Sequence, residues 1–256
     1  MIERPYKVQD GYNNPIQASL FRSPFVPYKC TNMRSLAVWA ETDPDLIKKY
    51  LEPTPFEYVS NVFNISISDF MNADGFMGFY DCSFCIPVKY KDIYGAYTMF
   101  EYESEDFAIW AGRELWGYPK VYAEMNLVEG VDKVVATATK NGIEFVHLEL
   151  DRRDLKDFTE PDVQMHPHLQ LQVVPNCDGP GIYLKRVMSR DTSPDYKGRV
   201  CLKGDAALTL RYDGRNPLDE FSSAKIIGAV YSCGEFNSTV ENGWAKVVDI
   251  LIKPTL

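Results

Sequence analysis

Apolar residues recur along this chain mainly at every second position, the period that sets one face of an extended strand against a core. Residues 58–68 (YVSNVFNISIS) show it clearly: Phe63, Ile65 and Ile67 alternate with Val62, Asn64 and Ser66. Short segments of strand character also lie at 35–40, 84–90, 94–102, 121–128, 134–140, 142–150, 169–174, 182–189, 206–212, 226–232 and 246–253. Asn141-Gly142, between two of them, is the strongest hairpin turn in the chain. Helical spacing is found in two places. Thr42-Asp43-Pro44-Asp45 supplies a cap and an early proline; Leu46, Ile47, Tyr50 and Leu51 follow, and Pro53 and Pro55 end the run. The second stretch covers 107–115, with Asp106 as its N-cap and Gly117 and Pro119 at its end. Before it, 103–106 (ESED) reads as an acidic turn, and 75–80 is rich in glycine and aromatics. Residues 1–26 read as an extended arm with turns, and the charged segment 151–168 as a loop or a short helix. No repeat or linker interrupts the pattern, so one domain over 1–256 is expected. Many short strands with few helices predict a mainly β (α+β) fold, as a barrel or a sandwich.

Hydrophobic residues make up 45% of the 256 positions, enough for a substantial core. The net charge of −9 repels phosphate backbones and anionic lipid, so neither nucleic acid nor a membrane surface is an expected partner. No apolar run approaches the roughly 20 residues that span a bilayer, and the N-terminus has no apolar segment of signal-peptide kind, so a cytoplasmic location is expected. The six cysteines are then expected to be free thiols. Cys82 and Cys85 have the spacing of a metal-ligand pair, but they lack a second pair, and on a strand they would face opposite ways. No metal site is expected. His166 and His168, in a polar loop, are expected to face solvent. No Ser-His-Asp set, P-loop or dinucleotide fingerprint is present.

One lysine changes the picture. Lys120 follows Tyr118-Pro119, and Phe107-Ala108-Ile109-Trp110 lies shortly upstream. Such a pattern more often marks a surface lysine at a strand start. If the fold draws the amine inward, however, desolvation lowers its pKa, and a neutral amine converts ketones and aldehydes to Schiff bases.

Gly112-Arg113-Glu114-Leu115 with Tyr118-Pro119-Lys120 is similar to the active-site segment of the acetoacetate decarboxylase family. Pro27-Tyr28-Lys29, Ile86-Pro87-Val88, Val174-Pro175-Asn176 and Asp178-Gly179 occur in the family's order, so the resemblance runs from about residue 23 to about 248. It implies a cone-shaped antiparallel β-barrel, often in homo-oligomers. It also implies a cofactor-independent lyase that decarboxylates a β-keto acid to a ketone, with Lys120 as the Schiff-base nucleophile. Two readings remain beside this one: an aldol condensation or dehydration of a larger keto substrate by the same lysine, and a non-catalytic barrel that binds small ligands.

The chain departs from the family's pattern at several points. Val121 stands where many members carry a second lysine, so burial alone would have to depress the amine's pKa. The family's arginine position falls on Met33, with Arg34 one place along. A family glutamate becomes Asp81, and another becomes Asn64. The candidate substrate-binding set is therefore Asp81, Tyr118, Trp116 and Arg34, with Arg34 in doubt because neighbouring strand residues face opposite sides. Arg113 and Glu114 are expected to hold the helix end rather than touch substrate.

Overall fold

The structure, a computed structural model, describes residues 12–21, 25–73 and 78–254. Its strands are β1 (Tyr28–Glu41), β2 (Glu57–Tyr58), β3 (Val62–Ala73), β4 (Phe79–Tyr90), β5 (Ile93–Glu103), β6 (Lys120–Tyr122), β7 (Glu124–Glu129), β8 (Lys133–Lys140), β9 (Ile143–Leu155), β10 (His168–Pro175), β11 (Ile182–Arg190), β12 (Tyr196–Leu210), β13 (Lys225–Ser238) and β14 (Lys246–Ile252). They form one sheet in the order β14-β11-β10-β5-β4-β3-β1-β13-β12-β9-β8-β7, with β2 paired to β4 and β6 to β5. The fold is mainly β, as the alternation predicts. Two features bear on the expected antiparallel barrel, whose closure is not shown. Among the described residues the hydrogen-bonded path has two ends, at β14 and β7, and is not closed. The pairings β5–β6 and β5–β10 are parallel.

Helix α1 (Pro44–Leu51) starts as its sequence signals predict. Asp43 accepts a hydrogen bond from the Asp45 amide, and Ile47 and Leu51 turn inward. Helix α2 (Asp106–Ala111) runs on into a π-helical turn, Gly112–Trp116, which Gly117 ends with φ +80°. Its N-cap is Glu105, not Asp106. A third short helix, α3, spans Val240–Gly243.

One face of the central strands builds the main core. Leu36, Val38, Phe63, Ile65, Ile67, Cys82, Phe84, Ile86 and Tyr102 all belong to it and are buried. Cys82 lies in this core, while Cys85 faces the other way and contacts Thr98. All six cysteines are free thiols. The opposite face of β1, β3, β4 and β5 carries Met33, Ser35, Phe70, Asp81, Ser83 and Glu101, and these line a cavity. Over that cavity lies a second apolar cluster of Phe21, Phe25, Val26, Phe107, Ala108, Ala111, Trp116 and Tyr118. Of the predicted N-terminal arm, 1–11 and 22–24 lie outside the described residues, as do 74–77 of the glycine- and aromatic-rich segment.

Several predicted boundaries move. β9 continues to Leu155, into the segment expected to be loop. The expected strand 121–128 divides at Ala123 into β6 and β7, which pair with different partners. Glu103 is the last residue of β5 and fully buried, not part of an acidic turn.

Candidate active site

Three adjacent strands assemble the polar centre. Asp81 on β4 stands opposite Glu103 on β5. Glu101, two residues earlier on β5 and thus on the same face, is in register with Lys120 on β6. Two carboxylates facing each other on neighbouring strands repel; here the lysine amine lies among them. Lys120 Nζ is 2.5 Å from Glu103 Oε2, 3.0 Å from Asp81 Oδ2 and 3.8 Å from Glu101 Oε1. Lys120, Glu101 and Glu103 are all buried. Glu101 Oε2 and Glu103 Oε1 have no hydrogen-bond partner, although both are out of reach of solvent.

The lysine reaches this point because the helix end makes room for it. A Cβ on Gly112 would stand 2.5 Å from Lys120 Cδ and 2.8 Å from Cε, so the stem lies against the bare glycine backbone. Arg113 donates from Nη1 to the Lys120 carbonyl at 3.1 Å. The Glu114 carbonyl accepts from Gln172 Nε2. Neither side chain lines the cavity; the Arg113 side chain braces the helix end as expected, whereas Glu114 is held through its backbone carbonyl and its side chain is exposed.

Burial acts to push the Lys120 amine down, but the Glu103, Asp81 and Glu101 carboxylates together carry it well above its ordinary value. The expectation of an amine neutralised by burial alone is therefore corrected: the missing second lysine is accompanied by three anionic neighbours, which favour the ammonium. Burial pushes Glu103 and Glu101 well above the ordinary carboxyl range, against the pull of Lys120. Lys120 and Glu103 share one proton across their contact, so an ammonium–carboxylate pair is within one proton transfer of an amine–carboxylic acid pair.

A cavity of about 360 Å³ opens onto this centre. Besides Lys120, Asp81 and Glu101, its wall includes Trp116, Tyr118, Tyr28, His168 and Arg190. Lys120 Nζ lies 5.9 Å from the centroid of the Tyr118 ring. The Tyr118 hydroxyl meets His168 Nδ1 at 2.9 Å. Burial, with His166 and Arg190 nearby, takes the His168 imidazole down to about 3, so the ring is neutral at physiological pH. His166 stacks on His168 at 5.0 Å. Both histidines line the cavity; His166 keeps the exposed loop position expected of it, whereas His168 is the first residue of β10 and half-buried, which corrects its assignment to a solvent-facing loop.

Four of the five residues proposed from sequence, Lys120, Asp81, Trp116 and Tyr118, line one cavity. Arg34 does not. Its guanidinium pairs with Asp69 and also reaches the Leu127 carbonyl, while Met33 takes the place on the cavity wall. Strand alternation accounts for this: Met33 and Ser35 face the cavity, so Arg34 faces away. Asn64 is not part of the cavity wall either. Sequence reasoning missed Glu101 and Glu103, although two acids at alternate positions in an otherwise apolar strand were a signal. It also missed Arg190, for which the sequence carried none.

Residues 13–242 match the family model for acetoacetate decarboxylase (ADC). An acetoacetate decarboxylase of Paraburkholderia phytofirmans is 28% identical over 229 residues, covering 87% of each chain. A solved acetoacetate decarboxylase structure superimposes with a TM-score of 0.81 over 99% of this chain and all of its own, at 21% identity. The enduracididine biosynthesis enzyme MppR, solved with the condensation product of pyruvate and imidazole 4-carboxaldehyde, matches with a TM-score of 0.71 at 15% identity, covering 93% of this chain and 95% of its own. The match of the family model over nearly the whole chain places this protein in the acetoacetate decarboxylase family.

Proposed function

We propose that this protein is a carboxy-lyase that forms a Schiff base through Lys120 and decarboxylates a β-keto acid. The observation that carries the reading is the position of the Lys120 amine: buried in a cavity, with three carboxylates within 3.8 Å, in the segment that matches the family's nucleophile. Glu103 is the nearest group and takes the ammonium proton, which frees the nitrogen lone pair. The amine adds to the ketone carbon. The resulting hydroxyl receives a proton and leaves as water, giving an iminium. The bond between the α-carbon and the carboxylate then breaks; its electron pair forms the enamine, the iminium nitrogen is neutralised, and carbon dioxide departs. Glu101, which holds a proton to unusually high pH, is placed to protonate the enamine carbon. Water then releases the ketone and restores Lys120.

The acids around the amine supply more than proton transfer. A carboxylate on the substrate's α-carbon, brought near Asp81, Glu101 and Glu103, is destabilised by like charge where those groups are ionised, and that repulsion ends when carbon dioxide leaves. An interaction relieved along the reaction coordinate accelerates it. A second reading, aldol condensation through the same lysine, draws support from the neighbour solved with a pyruvate condensation product and from the altered polar set. Borohydride reduction in the presence of acetoacetate, longer β-keto acids and pyruvate, followed by mass mapping, tests these readings. A reduced adduct on Lys120 with a β-keto acid or its ketone is the expected result. An adduct with pyruvate alone favours the aldol reading. No adduct with any of them leaves a ligand-binding protein.

A further inference from the structure

The cavity wall also carries a cation, Arg190, that no carboxylate of the described residues pairs with. Arg190 is the last residue of β11, in register with His168 on β10. Only 8% of its surface is exposed. Its guanidinium stacks on the Trp116 ring at 3.7 Å, and Nε donates to the Gly243 carbonyl at 2.9 Å. The phenols of Tyr28 and Tyr118 lie beside it and accept hydrogen bonds from it. Among the described residues no carboxylate pairs with it, and its Nη2 has no hydrogen-bond partner. A buried guanidinium left in this state is costly unless something completes it. The planar fork suits a carboxylate.

We infer that Arg190 anchors a second carboxylate, one that the substrate keeps, so that the preferred substrate is a β-keto acid bearing a further carboxylate at its other end. The inference rests on the Schiff-base reading for the position of the ketone. The carboxylate on Arg190 is not the one that leaves. Decarboxylation draws electrons out of the departing carboxylate toward the iminium, and a guanidinium holding those electrons would stabilise the ground state and oppose the step. The cavity is instead divided by charge: acids surround the amine where carbon dioxide must leave, and the cation lies elsewhere on the wall. The ring of Tyr118 faces Lys120, and its hydroxyl end lies beside His168 and Arg190. Tyr118 thus borders both ends of the site. The inferred substrate carries carbons between its ketone and its retained carboxylate, so that one end reaches Lys120 and the other Arg190.

The test uses the full-length protein and 3-oxoadipate, with its 6-methyl ester as the probe that lacks the distal charge. Wild type should show kcat/KM about 100-fold higher for the diacid than for the ester, from the loss of a buried charge pair. In Arg190→Met this ratio should fall to near one, and Arg190→Lys should recover part of it. Equal kcat/KM for diacid and ester in wild type, which needs no variant to fold, overturns the inference. So does a ratio that survives in Arg190→Met. If neither compound is turned over or trapped by borohydride, the Schiff-base reading fails by itself. Calorimetry with adipate, which has no carbonyl, then decides the anchor alone: binding by wild type that Arg190→Met loses upholds it, and no binding by wild type overturns it.

Discussion

Lys120 and Glu103 share one short contact, and their protonation cannot be considered separately. Replacing Lys120 by Met should reduce turnover by about 10⁴-fold or more, as loss of a covalent nucleophile does, while near-ultraviolet circular dichroism shows the fold retained; comparable turnover would remove Lys120 from the mechanism. Glu103 is the nearest of the anions that raise the amine. Glu103→Gln should therefore lower the apparent pKa seen in the pH dependence of borohydride trapping, and an unchanged profile would mean another group governs the proton. The same acids link stability to pH. Glu101 and Glu103 have folded pKa values above their unfolded ones. They contribute stability that is complete below the ordinary glutamate value of about 4.3 and is lost as pH rises through their raised values. Urea melts should show wild type losing more stability between pH 5 and pH 8 than the Glu101→Gln, Glu103→Gln double variant; parallel curves would contradict the shifts.

At the scale of elements, the junction between α2 and β6 controls the lysine. Gly112→Ala places a Cβ where the Lys120 stem lies. A displacement of about 1 Å at a reacting group costs on the order of 100-fold in rate, so kcat/KM should fall by about that much with little change in the thermal midpoint. A large loss of stability instead would mean that the glycine serves packing alone. This junction was legible in the sequence because its signals are local: a helix-ending Gly117, a Pro119, and the family segment that surrounds them. The strands were legible where alternation is sharp, as at Phe63, Ile65 and Ile67, and were cut short where it fades. β1 begins seven residues before the predicted 35–40 segment, and β4 extends back to Phe79. Those extensions carry Met33, Asp81 and Ser83 toward the cavity, whose wall mixes polar and apolar groups, so the two-residue period disappears at the site itself. Arg190 was illegible for another reason. Its partners Trp116, Tyr28 and Gly243 are distant in sequence, and only the sheet order brings them together.

For the whole molecule, the two sheet ends differ. β7 ends the sheet with Glu124 and Glu129, charges that discourage edge pairing. β14 ends it with Val247, Ile250, Leu251 and Ile252 exposed, and Ile182, Tyr183, Val173 and Val174 are exposed on the strands beside it. An apolar edge of this kind marks a contact surface, and the homo-oligomer suggested by the family resemblance would bury it. Light scattering should find wild type as a multimer and Ile250→Lys shifted toward smaller species; a monomeric wild type would refute this assignment of the edge.

The polar centre is a patch on one sheet face, with Asp81, Glu101, Glu103 and Lys120 contributed by three consecutively bonded strands. For protein engineering, such a patch is a board of neighbouring squares, each held in place by backbone pairing to the next strand. Exchanging Asp81 and Lys120 keeps the composition and net charge of the patch and moves the amine two strands across. If the exchanged protein still forms a reducible adduct, at residue 81, then reactivity belongs to the company the amine keeps, and new carbonyl chemistry can be placed on this sheet by choosing the square from which the nucleophile starts.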